Sequence, residues 1–522
     1  MCWKKRFWFL WNARLQPPMP DASKGVGHLW NHNALKGYHY FEIKTIRSSN
    51  MKRITTLAFF ACLILSISCN IYKEKKPSQV HPQLSPLEKY VAAPDTAFRY
   101  ELRSTLPGKG YTTYVLYLQS QRWLSEKEVK NPLWWHWLTI VVPDEVKGGT
   151  GLLYIGEGSR KTELPTAAHP IILQSALATH TITAAVHNVP NQPVEFTDDD
   201  FGPRVEDELI AHGWRQYLDG GGTEADSKWL ARLPMTKAAV RAMDAVQQFC
   251  KEKTQKEVSR FTVIGASKRG WATWTTAIAD DRVVAIAPVV IDLLNVVPSF
   301  QHHWQAYGFW APAVSDYVRE GIMDRQNTAA YQRLIETVEP YTFRKRLDLP
   351  KFLINAASDQ FFLPDSWQFY WNGLVGEKHL RYVPNAGHSL SGSDAIESFV
   401  AFYHAIVNNE PRPDFDWKTA DGNILINTDP QFQPDSIWLW QTANRNARDF
   451  RKETIGTTWT RSPVEFSADG KYKLDIEKPA KGYAAFFVEL VFVGDGPVPF
   501  KFTTGVVVRP EEMPFGDYNT TK

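Results

Sequence analysis

The chain has 522 residues, 43% hydrophobic and 22% charged, a globular composition with room for two domains and sizeable cores. Its formal charge is +3, but residues 1–68 hold ten Lys and Arg against two acids. The remaining 49 basic and 54 acidic residues net −5, which gives no support to nucleic-acid binding, a function that wants a basic face.

Met51-Lys-Arg53 precedes an apolar run, Ile54–Ser68, that is short for a membrane span and ends at Cys69. The segment resembles a bacterial lipoprotein signal, cleaved so that Cys69 carries the lipid. It implies a protein anchored in the bacterial cell envelope, facing the periplasm or the cell surface. Residues 1–50 lack this logic and read as an extension ahead of a true start at Met51. Residues 69–88 are polar with scattered prolines and read as a tether. With Cys69 lipidated, Cys250 is the sole cysteine of the folded part, so no internal disulfide is expected. Zinc-type cysteine and histidine spacings are absent, and neither metal nor cofactor is expected.

From residue 89 the chain alternates apolar runs with helical periodicity. Strands are predicted over Thr112–Leu118, Trp137–Val142, Gly151–Ile155, Thr181–Val186, Phe261–Ile264, Val283–Ile291, Lys351–Ala357 and His379–Val383. Helices are predicted over Glu206–Leu218, Met235–Lys251, Trp271–Ala279, Tyr331–Val338 and Ala395–Val407. The alternation gives a doubly wound α/β sheet over 89–412. Residues 292–348 form an insertion long enough to be a cap over a site. Beyond Pro411-Arg-Pro413 come short strand candidates at Ile424–Ile426, Ser436–Gln441, Gly456–Thr460, Lys471–Ile476, Tyr483–Val493 and Thr503–Val508, the pattern of an all-β sandwich over 413–518. The chain's twenty Trp suit large aromatic cores better than sugar stacking.

The chemistry centres on Phe261-Thr-Val-Ile-Gly-Ala-Ser-Lys-Arg-Gly-Trp271. Strand, glycine turn and helix are the setting of a nucleophile elbow, with Ser267 at its tip. The second glycine is displaced by one, so Arg269 stands in its usual place and Gly270 follows. A serine hydroxyl needs a histidine to take its proton and an acid to orient that histidine. The order Ser, acid, His of α/β-hydrolases is met by Asp359 at the end of one strand and His388 in the loop after the next. Asp365 is the rival acid, less well placed because Asp359 sits where the strand ends.

Several other residues are candidates for an oxyanion hole or a substrate pocket. The backbone N–H of Lys268 is the first oxyanion donor, and its side chain could face developing charge. Glu157 and Gly158, in Gly156-Glu-Gly-Ser159, are candidates for the second. Asn191 and Gln192, Lys237 at a helix start, and His303 and Trp304 in the insertion are pocket candidates. Asp292 and Asn295 sit at the same sheet edge. His302 and His303 are adjacent in sequence and share no helix face, which argues against a metal.

These motifs carry a resemblance. Trp134-Trp-His-Trp137, Val189-Pro-Asn-Gln-Pro193, Glu206-Asp207, Leu233-Pro-Met-Thr-Lys-Ala238, the elbow, Asp359-Gln-Phe-Phe-Leu-Pro-Asp365, Val383-Pro-Asn-Ala-Gly-His388 and Arg448-Asp-Phe-Arg451 resemble the PhoPQ-activated pathogenicity-related proteins. That resemblance implies an α/β-hydrolase domain and makes the displaced glycine a family trait. Over the elbow alone the chain also looks like glucuronoyl esterases, and wider kinship keeps peptidases of the dipeptidyl-peptidase type in view. The expected function is a serine hydrolase acting on an ester, with carbohydrate-linked esters among the candidates and a peptidase or a non-catalytic binding or signalling protein as alternatives. The expected substrate is a small molecule, glycan or peptide.

Overall fold

The computed structural model describes residues 84–494 and 496–519. The extension, the signal segment, Cys69 and the start of the tether lie outside them. From Leu84 onward the chain forms one compact unit.

A capped helix, α1 (Pro86–Ala92), leads into a nine-stranded sheet. Its strands are β1 (Arg99–Gly108), β2 (Tyr111–Arg122), β3 (Leu133–Pro143), β4 (Thr150–Ile155), β5 (Thr183–Val186), β6 (Arg260–Ala266), β7 (Val283–Val289), β8 (Lys351–Ala356) and β9 (Lys378–Val383). Their spatial order is β1-β2-β3-β5-β4-β6-β7-β8-β9. The β1–β2, β2–β3 and β3–β5 pairs are antiparallel, and every pair from β5 to β9 is parallel. The β4–β5 inversion and the antiparallel β3 give the topology of an α/β-hydrolase. Leu153 and Ile155 of β4 pack on one face, and Leu152 and Tyr154 on the other. Two covered faces explain why β4–β9 read as unbroken apolar runs.

The helices between the strands are α2 (Pro170–Thr179), α3 (Glu206–Asp219), α4 (Arg232–Phe249) and α5 (Lys268–Ala279). The insertion holds α6 (Val296–Tyr307), α7 (Ser315–Arg319) and α8 (Ala329–Val338), and α9 (Ala395–Asn408) follows β9. The elements β1, α1, α2, α6 and α7 are absent from the sequence reading. Residues of β1 are mostly exposed, so no apolar run marks it. The helix α2 (Pro-Ile-Ile-Leu-Gln-Ser-Ala-Leu-Ala-Thr) is too uniformly apolar to show a 3.6-residue stripe.

Past residue 412 the chain forms two small antiparallel sheets. One holds β10 (Phe415–Ala420), β11 (Asn423–Thr428) and β14 (Lys471–Leu474). The other holds β12 (Ser436–Asn444), β13 (Thr460–Pro463), β15 (Tyr483–Phe492), β16 (Phe500–Thr503) and β17 (Val507–Arg509), with a short helix, α10 (Lys452–Ile455), before β13. The strand expected over Gly456–Thr460 starts only at Thr460, because Gly456, at φ +67°, ends α10. The run Thr503–Val508 is divided between β16 and β17. These sheets share a core with the main one: Phe502 stacks on His379 and meets Phe352 edge-on, and Thr503 Oγ1 accepts from Tyr382 N at the β9 edge.

Candidate active site

The elbow is built where β6 gives way to α5. Ser267 takes φ 58° and ψ −124°, a conformation that L-residues avoid and that persists only where its surroundings impose it. Its N–H donates to Val289 O at 2.8 Å. A Cβ on Gly265 would stand 2.6 Å from Arg269 O, and one on Gly270 2.9 Å from Ile291 Cγ2. The displaced glycine is therefore required where it stands, because there α5 crosses the end of β7. The first N–H groups of α5, Lys268 N–H among them, have no intrahelical acceptor and carry the positive end of the helix dipole. The loop Gly156–Ser159 lies beside the elbow because Ile155 pairs with Gly265.

His388 and Asp359 complete a continuous chain. Ser267 Oγ is 2.9 Å from His388 Nε2, and His388 Nδ1 is 2.8 and 3.0 Å from the two Asp359 oxygens. Asp359 also accepts from Phe361 N at 2.7 Å, and His388 N donates to Gln360 Oε1 at 2.7 Å. The Phe361 ring covers the imidazole with centroids 4.3 Å apart. Asp365 turns elsewhere: it accepts from His302 Nε2 at 2.9 Å and from Arg448, tying α6 to the segment before α10.

Beneath the elbow lies an ionic network. Lys268 Nζ contacts Glu206 Oε2 at 2.8 Å and Asp207 Oδ2 at 3.0 Å. Arg269 meets both Glu206 oxygens, at 2.6 and 2.9 Å, and donates from Nε to Val189 O. Burial alone would raise the Glu206 carboxyl, but the charges of Arg269 and Lys268 outweigh it and hold the group far below the usual carboxylate range. For Lys268 burial works downward, and Asp207 and Glu206 reverse it, so its ammonium is held more firmly than usual.

The remaining candidates divide sharply. The Lys268 ammonium is committed to two carboxylates, so only its backbone N–H is free for an oxyanion. Gln192 bonds Gly158 O, the Glu206 side chain and the Glu206 backbone, and braces the network. Asn191 donates to Trp135 O. Lys237 lies away from the site: its Nζ donates to Ala93 O at 2.7 Å and clips α4 to the end of α1. His303 accepts from Ala311 N at 3.1 Å, and burial pushes its imidazole down to about 3, so it packs the insertion as a neutral ring. Trp304 packs on Trp310 and Tyr518. Glu157 is exposed, and Gly158, at φ +144°, has no space for a Cβ beside Asn188. Asn295 starts α6 in a left-handed conformation, and Asp292 accepts from Tyr370 and Tyr382. Burial pushes the Asp292 carboxyl up to about 8, which leaves it mostly neutral. Among the described residues no cluster of three or more His, Cys, Asp or Glu could hold a metal.

Two contributors come from the C-terminal segment, Lys452 at the start of α10 and Trp459 just before β13, and could not be paired with the site by spacing. Lys452 N donates to Ser358 O, and Trp459 Nε1 to Ser358 Oγ at 2.9 Å. Trp459 N and O also bond the Asn385 side chain. One segment thus braces both loops, the one before Asp359 and the one before His388. Trp459→Phe keeps an aromatic ring but loses the five-membered half of the indole with its N–H and one hydrogen bond, worth about 1 kcal/mol. It should slow serine labelling by an activity probe up to about fivefold, the rate equivalent of that bond, and lower the melting temperature by only a few degrees; an unchanged labelling rate would refute the brace.

Comparison with known proteins fixes the family. The family model described as PhoPQ-activated pathogenicity-related protein matches residues 87–451. The chain belongs to this family. A relative within reach of the PhoPQ-related chain is the autocrine proliferation repressor protein A of Dictyostelium discoideum, 37% identical over 465 residues, covering 83% of this chain and 93% of that one. Among solved structures it is similar to an acetyl xylan esterase from Paenibacillus sp. R4 (18% identity, TM-score 0.43, covering 61% of this chain and 90% of that one). It is also similar to the acylaminoacyl peptidase of Pyrococcus horikoshii (12% identity, TM-score 0.37, covering 61% and 51%).

Proposed function

We propose that this PhoPQ-related protein is a serine hydrolase that cleaves an ester through an acyl-enzyme. The observation that carries the reading is the unbroken chain from Ser267 Oγ through His388 to Asp359, raised on a strained elbow. Ser267 Oγ attacks the ester carbonyl as His388 Nε2 takes its proton. The oxyanion accepts from Lys268 N–H and from the neighbouring Gly156–Ser159 loop. His388 returns the proton to the departing alcohol. Water then enters, gives its proton to the same nitrogen and attacks the acyl-Ser267 carbonyl; the C–Oγ bond breaks, His388 Nε2 returns the proton to Ser267 Oγ, and the acid departs. Asp359 holds the imidazole with Nδ1 protonated and stabilises the imidazolium.

The test is labelling of the full chain in detergent with a fluorophosphonate. Wild type should label, and Ser267→Ala and His388→Ala should not; a wild type that resists the probe overturns the reading. Paired ester and amide substrates with one acyl group then separate esterase from peptidase. The name of the Dictyostelium relative, a proliferation repressor, supports a second reading, a signalling protein on a hydrolase fold. That reading requires Ser267→Ala to retain the biological effect.

A further inference from the structure

A cavity of about 30 Å³ opens beside Ser267, and Arg232, Lys268, Asp207 and Tyr317 also line it. Its volume holds about two water-sized groups. Arg232 is the first residue of α4 and only 3% exposed. It donates from Nη1 to Lys268 O at 2.8 Å, and its guanidinium lies 4.6 Å from the Trp271 ring centre. Its Nε has no hydrogen-bond partner. The neighbouring carboxylates are already engaged: Glu206 by Lys268 and Arg269, and Asp207 by Lys268 and by Tyr317 Oη at 3.1 Å. Three buried cations therefore face two carboxylates, and among the ion pairs of the described residues Arg232 has none. Arginine cannot shed its proton to escape burial, and although Tyr317 and Asp207 attract its charge, burial outweighs them.

We propose that this cavity is an anion subsite in which Arg232 binds a carboxylate carried by the substrate, within a few bonds of the scissile carbonyl. The inference rests on the hydrolase reading for the word substrate, and on the cavity and Arg232 for the carboxylate. A planar carboxylate offers two oxygens to a planar guanidinium and fits a space of two water-sized groups. Trp271, Phe361 and Phe362 give the cavity apolar walls, so the pair would be worth more than in solution. The carboxylate can sit on the acyl side, as in a half-ester of a short dicarboxylic acid, or on the alcohol side, as in an acetyl ester of a hydroxy acid or uronic acid.

Binding is tested without turnover, on Ser267→Ala. Monomethyl succinate should raise its melting temperature saturably, and neutral dimethyl succinate should not. Adding Arg232→Met should abolish the shift, and Arg232→Lys should restore part of it. If neither Arg232 variant folds, the comparison of the two ligands on Ser267→Ala alone decides. Equal shifts from both ligands, or no shift from either, overturn the subsite. In wild type, 4-nitrophenyl hemisuccinate should exceed 4-nitrophenyl butyrate at least tenfold in kcat/KM if the carboxylate is on the acyl side. O-acetyl-lactate should exceed ethyl acetate by as much if it is on the alcohol side, and no preference in either pair overturns the proposal. A chain that resists fluorophosphonate yet is stabilised by monomethyl succinate would refute the hydrolase and leave the anion site standing.

Discussion

Asp359→Asn should lower the rate of the serine reaction about 10⁴-fold and leave the fold standing. The substitution is isosteric, and the remaining oxygen can still accept from Phe361 N as Asp359 does at 2.7 Å. What changes is the imidazole. An amide nitrogen facing His388 Nδ1 donates where the carboxylate accepted, so the favoured tautomer carries its proton on Nε2. That nitrogen then points a hydrogen at Ser267 Oγ, 2.9 Å away, and cannot take one from it. Asp365→Asn supplies the contrast. Asp365 is buried between His302 and Arg448; burial would raise its carboxyl, and Arg448 and His302 drive it far below the usual range. Its loss should lower the melting temperature and leave the labelling rate within a few-fold. Labelling rates and thermal melts of both variants decide the matter. Wild-type labelling by Asp359→Asn would remove the acid from its assigned role, and a 10⁴-fold loss in a stably folded Asp365→Asn would transfer that role.

The grouping of Ser267, Asp359 and His388 was readable because their order is topological. Ser267, Asp359 and His388 each follow a strand in the parallel half of the sheet, and the ends of those strands gather at one edge. Apolar runs located the strands, since β4 to β8 are buried nearly throughout. Side-chain partners were not readable, because they depend on contacts across long separations. Gln192, Lys237 and His303 have the residue types of a pocket, yet each spends its polar atoms inside the protein, and Asn191 commits its amide nitrogen to Trp135 O while its buried Oδ1 has no partner. Glu206 and Asp207 were visible as a motif without a role. Their signal was Lys268-Arg269, two cations in sequence at a buried elbow, which oblige acids somewhere nearby. Arg232 and Trp459 had no such signal. The helix α6 escaped because Val-Val-Pro-Ser-Phe-Gln-His-His-Trp-Gln-Ala-Tyr is poor in strong helix formers. Its buried side, Val296, Phe300 and His303 among them, comes from packing in the insertion.

Glu206→Gln should cost about 3–5 kcal/mol, the usual penalty for leaving buried charge unpaired, and lower the melting temperature by roughly 3–5 °C in a folded unit of this size. Glu206 is the hub of the network: it takes both outer nitrogens of Arg269 and the Lys268 ammonium, and its own N–H is held by Gln192. An amide keeps the shape and loses the charge, so Arg269 is left without a carboxylate and Lys268 keeps only Asp207. The pH dependence has a definite sign. The carboxyl is depressed in the folded state, so its contribution is complete above the ordinary Glu range near 4.3 and drains away as pH falls below it. The gap in melting temperature between wild type and Glu206→Gln should thus be level from pH 7.5 to about 5 and narrow below about 4. A gap under 2 °C at neutral pH would sink the argument. The double variant Glu206→Gln, Arg269→Met sharpens it, since removing the stranded cation with its partner should recover more than half of the loss. Lys268 and Asp207 then remain as a neutral pair, and the elbow keeps its serine in place. Serine labelling in the double variant should accordingly return toward the wild-type rate along with stability; stability without labelling would show that the network sets the Ser267 geometry as well as holding the fold.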